Sequence, residues 1–218
     1  MVKNILVAPN SYKECADSVE ISKIICYNLA RQSSFKIISK PLSDGGDGFL
    51  NVCKSVFNTE PILFSIENDF DETKKEYTIL FDRQSKSIFI ESAELFGLNL
   101  LDENRRKPLL LNSEVLGKII ARLIQNVNQK KLDIQTVWIG VGGTATIDLG
   151  IGACSQLGLS LFDGYGKFLK SIPQNFIKAS YVKFYKLNLP FKIKCVVDVQ
   201  TELIGEPGAI EIYGKQKS

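Results

Sequence analysis

Residues 137–152 read Val-Trp-Ile-Gly-Val-Gly-Gly-Thr-Ala-Thr-Ile-Asp-Leu-Gly-Ile-Gly. The first three are β-branched or aromatic and are typical of a strand, whereas the residues that follow are mostly glycines and hydroxyl residues. Glycines allow positive φ and carry no Cβ, so successive N–H groups can point at one anion. The pattern predicts a strand that ends in a phosphate-sized loop. In this loop Gly142 and Gly143 would supply N–H groups, and Thr144 and Thr146 would supply hydroxyls.

The same loop carries a carboxylate, Asp148, which has no use in a site that binds only an anion. It suits a divalent cation held over phosphate oxygens, or an acceptor for a substrate hydroxyl. Glycine-rich turns between a strand and a helix also occur for packing alone. This segment by itself therefore leaves a ligand role and a packing role open.

A second loop of the same kind is Pro41-Leu42-Ser43-Asp44-Gly45-Gly46-Asp47-Gly48, which follows an apolar run over residues 35–40. Two loops that each carry carboxylates suit phosphoryl transfer better than they suit packing. We predict that Asp44 serves a metal ion or a substrate hydroxyl, and that Gly45 and Gly46 line the site.

The composition excludes several classes of mechanism and partner. The chain has 218 residues, 44% of them hydrophobic, which is enough for one large domain or two small ones. It has no histidine, so Ser/His/Asp and Cys/His mechanisms within the chain are excluded. Its formal charge of +3 comes from scattered lysines without a basic stripe, and nucleic acid is not a predicted partner.

The cysteines and the apolar runs bear on the cellular compartment. The 5 cysteines form no Cys-x-x-Cys pair, so a disulfide framework or a zinc site is not expected, and we predict reduced, mostly buried thiols. No apolar run approaches the length that spans a bilayer, and the amino terminus is too short for a signal peptide. We therefore expect a cytoplasmic protein without a membrane partner.

The order of predicted elements indicates an α/β chain. Two β-α units with parallel strands are followed by an antiparallel meander of short strands, and a helix then leads to the glycine-rich strand. We place a domain boundary near residue 59, which gives candidate domains over residues 1–58 and 59–218. The expected strands are 3–8, 35–40, 62–66, 76–81, 86–90, 159–162 and 191–197, and the expected helices are 18–31, 49–57 and 113–128. The first strand is expected to be buried.

A dinucleotide-binding oxidoreductase is the main alternative to a phosphoryl-transfer enzyme. Gly140-x-Gly142-x-x-Ala145 matches the looser dinucleotide fingerprint, and Asp163 lies near the distance of a ribose-binding acid. Against it, Gly150 and Gly152 interrupt the helix that should carry the pyrophosphate. No P-loop sequence is present, and the protein-kinase catalytic set is impossible without histidine.

Several blocks, in order along the chain, together resemble the glycerate kinases of the bacterial and plant type. The opening Ala-Pro-Asn-Ser-Tyr-Lys is similar to the Ala-Pro-Asp-Ser-Phe-Lys of that family, and Ser-Asp-Gly-Gly-Asp-Gly is similar to its Ala-Asp-Gly-Gly-Glu-Gly. This chain departs from the family pattern at Asn10, Glu14, Cys15 and Leu149, of which Asn10 replaces an aspartate and Leu149 a glycine. The matching blocks are residues 8–13, 43–48, 90–98, 140–148 and 198–209.

The resemblance implies a two-domain glycerate-kinase-like α/β fold, with a flavodoxin-like parallel-sheet domain and a second domain built on a mixed sheet. It also implies ATP-dependent, Mg²⁺-assisted phosphorylation of glycerate. Lys13 would contact a phosphate or the glycerate carboxylate, and Ser11 would line the same site. Asp44 and Asp198 would act as base or metal ligands.

Family members continue after the segment that matches Gly214-Lys215-Gln216-Lys217-Ser218, so the resemblance implies a chain incomplete at its carboxyl end. We expect such a chain to be a poor kinase that exposes apolar surface and self-associates. A truncated or degenerate family member without activity stays open as an alternative.

Overall fold

The computed structural model describes residues 4–12, 15–32, 35–68, 73–206 and 208–217. Its strands are β1 (Asn4–Val7), β2 (Lys36–Ser39), β3 (Thr59–Asn68), β4 (Thr73–Asp82), β5 (Ser87–Glu91), β6 (Thr136–Gly140), β7 (Leu159–Phe162), β8 (Phe168–Leu169), β9 (Tyr181–Phe184) and β10 (Lys192–Val196). Its α-helices are α1 (Ser18–Gln32), α2 (Phe49–Val56), α3 (Ser92–Phe96), α4 (Glu114–Asn128), α5 (Ile151–Ser155), α6 (Pro173–Phe176) and α7 (Ala209–Tyr213). Short 3₁₀ turns cover Leu98–Leu100, Glu103–Arg105 and Lys215–Lys217.

A mixed sheet with the strand order β10-β6-β5-β4-β3 forms the centre of the fold. Strands β5, β6 and β10 are parallel, whereas β3, β4 and β5 form the antiparallel meander that the sequence predicts. All five residues of β5 are buried, as is usual for a strand covered on both faces. The predicted α/β class, with a parallel pair and a mixed sheet, is confirmed.

Helices cover both faces of this sheet. On one face α4 packs its apolar stripe, and on the other α2 packs Phe49, Leu50 and Cys53 against Leu80 and Phe89. Each fully buried side chain of this size stabilises the fold by about 1.5–3 kcal/mol. The cluster under α4 includes Ile79, Ile88, Ile90, Ile119, Ile120, Leu123, Val137 and Ile139.

Strands β1 and β2 form a separate parallel pair, as predicted, with α1 packed against them. The expectation of a buried first strand is wrong for most of β1, since Val7 is buried but Leu6 is 64% exposed. The physical reason is that, among the described residues, no third strand joins this pair. Apolar surface is therefore exposed here, while self-association stays a prediction.

The packing of α2 bears on the predicted domain boundary at residue 59. This helix precedes the boundary but contacts β4 and β5 of the mixed sheet, and it also contacts α1. The division into residues 1–58 and 59–218 stays a prediction, and by its contacts α2 belongs to the layer over the mixed sheet.

Between residue 150 and β10 the structure contains more strands than the sequence predicts. Strand β7 pairs with β8 and β9 in an antiparallel sheet, where the sequence predicts only the first of these strands. All residues of β9 are exposed. The sequence of β9, Tyr-Val-Lys-Phe, does not alternate apolar and polar residues, which is the pattern by which a half-buried strand is recognised.

The cysteines are free in the structure, and the expectation that they are mostly buried is wrong. Cys53 is buried in the cluster under α2, and that burial raises the pKa of its thiol to about 12. Cys15, Cys154 and Cys195 are exposed. None of the described helices combines the length and apolarity that crossing a membrane requires, and a cytoplasmic location stays a prediction.

Candidate active site

Three parallel strands end at the same edge of the mixed sheet. Gly140, the last residue of β6, is level with Glu91 of β5 and with Val196 of β10. The loops that follow these strands therefore leave the sheet together, which is where ligands bind in many α/β proteins. The loop of residues 41–48, here named the Gly45 loop, lies against this edge, because Gly45 packs onto the carbonyl of Val196. The loop of residues 141–150 is named the Gly142 loop.

The two glycine-rich loops pack backbone against backbone. The Gly142 N–H donates to the Gly45 carbonyl over 3.0 Å. A Cβ added at Gly142 would lie 2.7 Å from the Cα of Gly46, and one at Gly140 would lie 2.6 Å from the Gly45 carbonyl oxygen. The two loops can therefore approach this closely only with glycine at positions 140 and 142. This gives a physical basis for the packing role that the sequence left open. A phosphate contact of Gly142 stays a prediction, although its N–H is already bonded within the protein.

Hydrogen bonds from backbone N–H groups to side chains of the same loop stabilise the turn of the Gly45 loop. The Gly45 N–H donates to Oγ of Ser43 over 3.1 Å, and the Gly46 N–H donates to Oδ1 of Asp44 over 2.9 Å. Gly45 has a φ of +91°, which a residue with a side chain rarely adopts. These contacts fix the direction in which the Asp44 carboxylate points, while ligand contacts of Gly45 and Gly46 stay predictions.

Asp44 is half-buried where the β1–β2 pair meets the mixed sheet. Among the described residues, its Oδ2 accepts one long hydrogen bond, 3.4 Å, from the Asn10 side chain, which follows β1. The Asn10 Oδ1 in turn accepts from the N–H of Ser11 over 2.8 Å, and a ligand contact of Ser11 stays a prediction. With respect to the described residues, Asp44 therefore keeps lone pairs that can accept from a hydroxyl or bind a cation.

The donor set around Asp44 fits Mg²⁺, which binds hard oxygen ligands. Within the part of the chain that the structure describes, no group of three or more acidic, cysteine or histidine side chains is arranged to hold a metal. Mg²⁺ is usually held by one or two carboxylates together with waters and substrate phosphates, so a single carboxylate at this place is compatible with it. Any such ion would depend on oxygens of the substrate.

The structure gives less information on the other two residues that are predicted to be catalytic, Asp198 and Lys13. Asp198 lies two residues beyond β10, on the edge of the sheet that carries both loops, and it is exposed. Its role as base or metal ligand stays a prediction. Lys13 lies outside the described residues.

A lysine from the end of the described chain binds the Gly142 loop. The Nζ of Lys217 donates to Oγ1 of Thr144 over 3.2 Å and to the carbonyl of Thr146 over 2.9 Å. Burial lowers the pKa of Lys217, an effect that the nearby Asp148 carboxylate opposes. Because the Thr144 hydroxyl accepts from this lysine, its own proton can still be donated to an anion. The loop thus combines a cation with a hydroxyl donor.

Asp148 is almost fully buried, with 2% of its surface exposed. Its Oδ2 accepts from the N–H of Ser113 over 2.8 Å, from the Ser113 hydroxyl over 2.7 Å and from the N–H of Gly152 over 2.9 Å. The carboxylate thereby connects the beginning of α4 to the first turn of α5. These contacts explain a buried acid in this loop without a ligand, and its predicted binding role stays untested.

Glu91 is a residue to which the sequence analysis assigned no role. Its Oε1 accepts from the N–H of Gly48 and its Oε2 from the N–H of Leu50, both over 2.9 Å. Helix α2 needs this acceptor because its N-cap is Gly48, which has no side chain to bond the first amides. Burial raises the pKa of the Glu91 carboxyl, and the two amide bonds partly oppose the rise. The signal in the sequence is an acid placed directly after the apolar run Ile88-Phe89-Ile90.

The local structure disfavours the dinucleotide alternative. The helix after the Gly142 loop, α5, has only five residues, which is short for a helix that carries a pyrophosphate. Asp163 does not point to a ribose site, because its Oδ1 accepts from the N–H groups of Tyr165 and Lys167, each over 2.9 Å, within a turn.

Comparison with known proteins identifies the family of the chain. The glycerate kinase family profile matches residues 5–218. The chain belongs to the glycerate kinase family. A glycerate kinase of Neisseria meningitidis is 28% identical over 217 residues, which cover 98% of this chain and 56% of that protein. The glycerate 2-kinase of Escherichia coli is 27% identical over 217 residues, which cover 98% of this chain and 55% of that protein.

A solved structure shows the same fold. The crystal structure of a protein from Salmonella typhimurium LT2, proposed to be glycerate kinase 2, superposes with a TM-score of 0.78 at 24% identity. The superposition covers 100% of this chain and 57% of that one. The chain therefore spans slightly more than half the length of the glycerate kinase relatives that it matches.

Proposed function

We propose that this chain takes part in the ATP-dependent phosphorylation of glycerate to phosphoglycerate. Membership of the glycerate kinase family supports the reaction class. The observation that carries the proposal is the meeting of two loops at one sheet edge, with Asp44 on one loop and the Lys217–Thr144 pair on the other. A carboxylate for the acceptor hydroxyl and a cation for phosphate oxygens are the groups that phosphoryl transfer uses.

The residues have distinct roles in this proposal. A hydroxyl oxygen of glycerate attacks the γ-phosphorus of ATP, the bond to the ADP oxygen breaks, and the hydroxyl proton passes to the Asp44 carboxylate or to water. Lys217 and the hydroxyls of Thr144 and Thr146 hold phosphate oxygens, and Mg²⁺, held by Asp44 or Asp198, would neutralise charge on them. Such transfer depends on positioning and charge more than on a strong base, so a chain without histidine can supply it.

A second candidate is a family member that binds these ligands without turning them over. The residue that favours it is Asn10, an amide where the resemblance places an aspartate, hydrogen-bonded to Asp44. An amide beside Asp44 removes one negative charge from the place where a cation would bind.

The test is an assay of ADP release with D-glycerate, ATP and Mg²⁺, together with thermal unfolding in the presence of each ligand. We expect Mg²⁺·ATP to raise the unfolding temperature and NAD to leave it unchanged, because only a ligand of the native state stabilises it. We also expect glycerate-dependent release of ADP. A shift with NAD alone would support the oxidoreductase alternative, whereas a shift with ATP but no ADP release would support the binding-only candidate.

Two matched variants connect the activity to the site. Asp44→Asn should lower kcat/KM by about a hundredfold or more while the unfolding temperature changes little. Asp133→Asn is the control, since Asp133 is exposed and its ion pair among the described residues is with Lys86, at 2.5 Å, and it should keep full activity. Equal activity in both variants would reject Asp44 as a site residue.

A further inference from the structure

The three-stranded sheet β8-β7-β9 has a packed inner face and an aromatic outer face. On the inner face, Leu161 of β7 and Leu169 of β8 are buried opposite each other. Because side chains alternate along a strand, the outer face carries Phe168, Phe162 and Tyr181 in a row across the three strands. The Phe162 ring lies 6.1 Å from the ring of Phe168 and 5.2 Å from that of Tyr181. The two outer rings of this row, Phe168 and Tyr181, are exposed.

The exposed surface continues past β9. Every residue from Tyr181 to Pro190 is exposed, including Phe184 at 61% and Tyr185 at 72%. Strand β9 is also at the edge of its sheet, because among the described strands it pairs with β7 alone. Contiguous apolar patches on a protein surface are often interaction sites. This surface is therefore a candidate for contact with a partner.

The same region is strongly basic. Residues 164–197, here named the basic segment, contain seven lysines and no acidic residue. All seven are exposed, and none of them forms an ion pair with a described carboxylate. Lys183 lies on the outer face, with its Nζ 4.9 Å from the centre of the Phe162 ring. The lysines of the chain are therefore less evenly scattered than its overall charge of +3 indicates. The seven are Lys167, Lys170, Lys178, Lys183, Lys186, Lys192 and Lys194.

A segment of opposite charge follows. Residues 199–214, here named the acidic segment, contain three glutamates and no lysine or arginine. The segment also exposes aliphatic side chains, with Ile204 at 81% and Ile210 at 65%. Negative charge and apolar surface thus occur together here, as positive charge and apolar surface do in the basic segment. The exposed glutamates are Glu202, Glu206 and Glu211.

The two segments do not neutralise each other within one chain. Neither Glu202 nor Glu206 forms an ion pair with a described lysine or arginine. In a second copy of the chain, the same acidic segment can face the basic segment of the first. Two copies related by a two-fold axis make this contact twice, which closes the assembly as a dimer. Opposite charges then orient the two surfaces, and burial of their apolar side chains stabilises the contact.

We propose that two copies of this chain associate, with the basic segment of each against the acidic segment of the other. Lysines and exposed aromatic rings also suit a nucleic acid or an anionic membrane. Neither of those partners accounts for the exposed acidic segment, whereas a second copy accounts for both segments. The proposal does not depend on the proposed function, since Lys183, Lys186, Glu202 and Glu206 have no role in the transfer chemistry.

The first measurement is the mass of the unmodified chain in solution, by light scattering at micromolar concentration. At low salt we expect twice the mass of one chain, which is 24.3 kDa. In about 1 M salt, where the Debye length is about 3 Å, the dissociation constant should rise by about tenfold or more. A monomer at low salt would overturn the proposal, and so would a dimer whose dissociation constant does not rise with salt.

The decisive variants reverse the charge of one segment at a time. Lys183→Glu with Lys186→Glu, and separately Glu202→Lys with Glu206→Lys, should each weaken association by about a hundredfold, because like charges then face each other. An equal mixture of the two variants should form a dimer again, since the reversed segment of each complements the unmodified partner segment of the other. The salt dependence of the unmodified chain keeps the test valid if a variant does not fold.

The control variant is Lys130→Glu with Lys131→Glu, which changes the net charge equally at exposed lysines just after α4 and should leave the dimer intact. Association that persists in both reversed variants would place the interface elsewhere and overturn the proposal. Variants that stay monomeric when mixed would also overturn it, because the two segments would then not face each other. A monomeric unmodified chain that binds an oligonucleotide or anionic vesicles through Lys183 and Lys186 would assign the basic segment to that partner instead.

Discussion

Strands β5 and β1 contain similar apolar runs but differ in burial. The run Ile88-Phe89-Ile90 of β5 is buried on both faces, whereas in the run Ile5-Leu6-Val7 of β1 the middle residue is 64% exposed. The difference is that helices cover both faces of β5, while β1 belongs to a two-stranded pair. An apolar run therefore predicts a strand, and the layers around it decide how much that strand stabilises the fold.

The candidate site lies where these two regions meet. Asn10 follows β1 and bonds Asp44, and the loop that carries Asp44 packs against the ends of β6 and β10. One wall of the site thus rests on a well-packed sheet and the other on a sparsely packed pair. The following substitutions measure that contrast.

The largest expected difference is between truncations in the two strands. Ile88→Ala should reduce the free energy of unfolding by about 2–5 kcal/mol, because Ile88 is fully buried and the substitution leaves a cavity. Leu6→Ala should cost about 0.5 kcal/mol or less, since most of Leu6 is already in contact with water. Chemical denaturation of both variants measures the two values. Similar losses in both would show that β1 is covered in solution and would remove the contrast.

The contact between the two glycine loops should be the next most sensitive feature. Gly142→Ala should cost about 2 kcal/mol and lower ligand binding, because its Cβ would meet the Cα and N of Gly46 at 2.7 and 2.9 Å, and backbone atoms cannot rotate away. Gly164→Ala is the matched control, since its Cβ would lie 3.4 Å from its nearest neighbour, the Ser180 hydroxyl. It should change stability by no more than about 0.5 kcal/mol. If Gly142→Ala were equally harmless, the loops would be separated in solution.

The sequence predicts the meander, helix α4 and the two glycine loops because each has a local pattern: alternation, helical spacing, or glycines after an apolar run. The sequence does not predict which distant residues these elements contact. The acceptor for the first amides of α2 is Glu91, 41 residues away from Leu50, and the partner of Asp148 is Ser113, 35 residues away. The backbone contact of Gly142 with Gly45 is likewise invisible locally, because a glycine needed for packing and one needed for an anion look the same.

Glu91 should make stability depend on pH in a definite direction. Burial raises the pKa of its carboxyl in the folded state, so the native protein holds this proton more tightly than the unfolded chain. The stability that this group contributes is complete below the ordinary carboxyl pKa and is lost as the pH rises through the raised value. Glu91→Gln removes this contribution and places an amide donor against the N–H of Gly48 or Leu50, at a cost of about 1–3 kcal/mol.

The measurement is the unfolding free energy of both proteins from acid to neutral pH. The unmodified chain should be the more stable one throughout, and its advantage should narrow as the pH rises. Asp163→Asn, at a carboxylate whose hydrogen bonds to described residues come from turn amides, controls for general effects of charge removal. A gap that widens with pH would mean that the Glu91 pKa is lowered, not raised, in the native state.

The smallest effect concerns the end of the Gly142 loop, where the well-packed region carries a local strain. Leu149 has a φ of +57°, in the left-handed region, and 60% of it is exposed, so its side chain gains little from packing. The left-handed conformation costs an L-residue about 1–2 kcal/mol, and glycine avoids that cost but loses about 0.5–1 kcal/mol through its more flexible unfolded chain. Leu149→Gly should therefore stabilise the protein by about 0.5–1 kcal/mol, visible as a small rise in unfolding temperature. Leu189→Gly, at an exposed leucine outside the positive-φ residues, should shift the temperature downward. Because the two substitutions are chemically identical, opposite signs would trace the gain to the backbone at position 149, and equal signs would show that this backbone is not strained in solution.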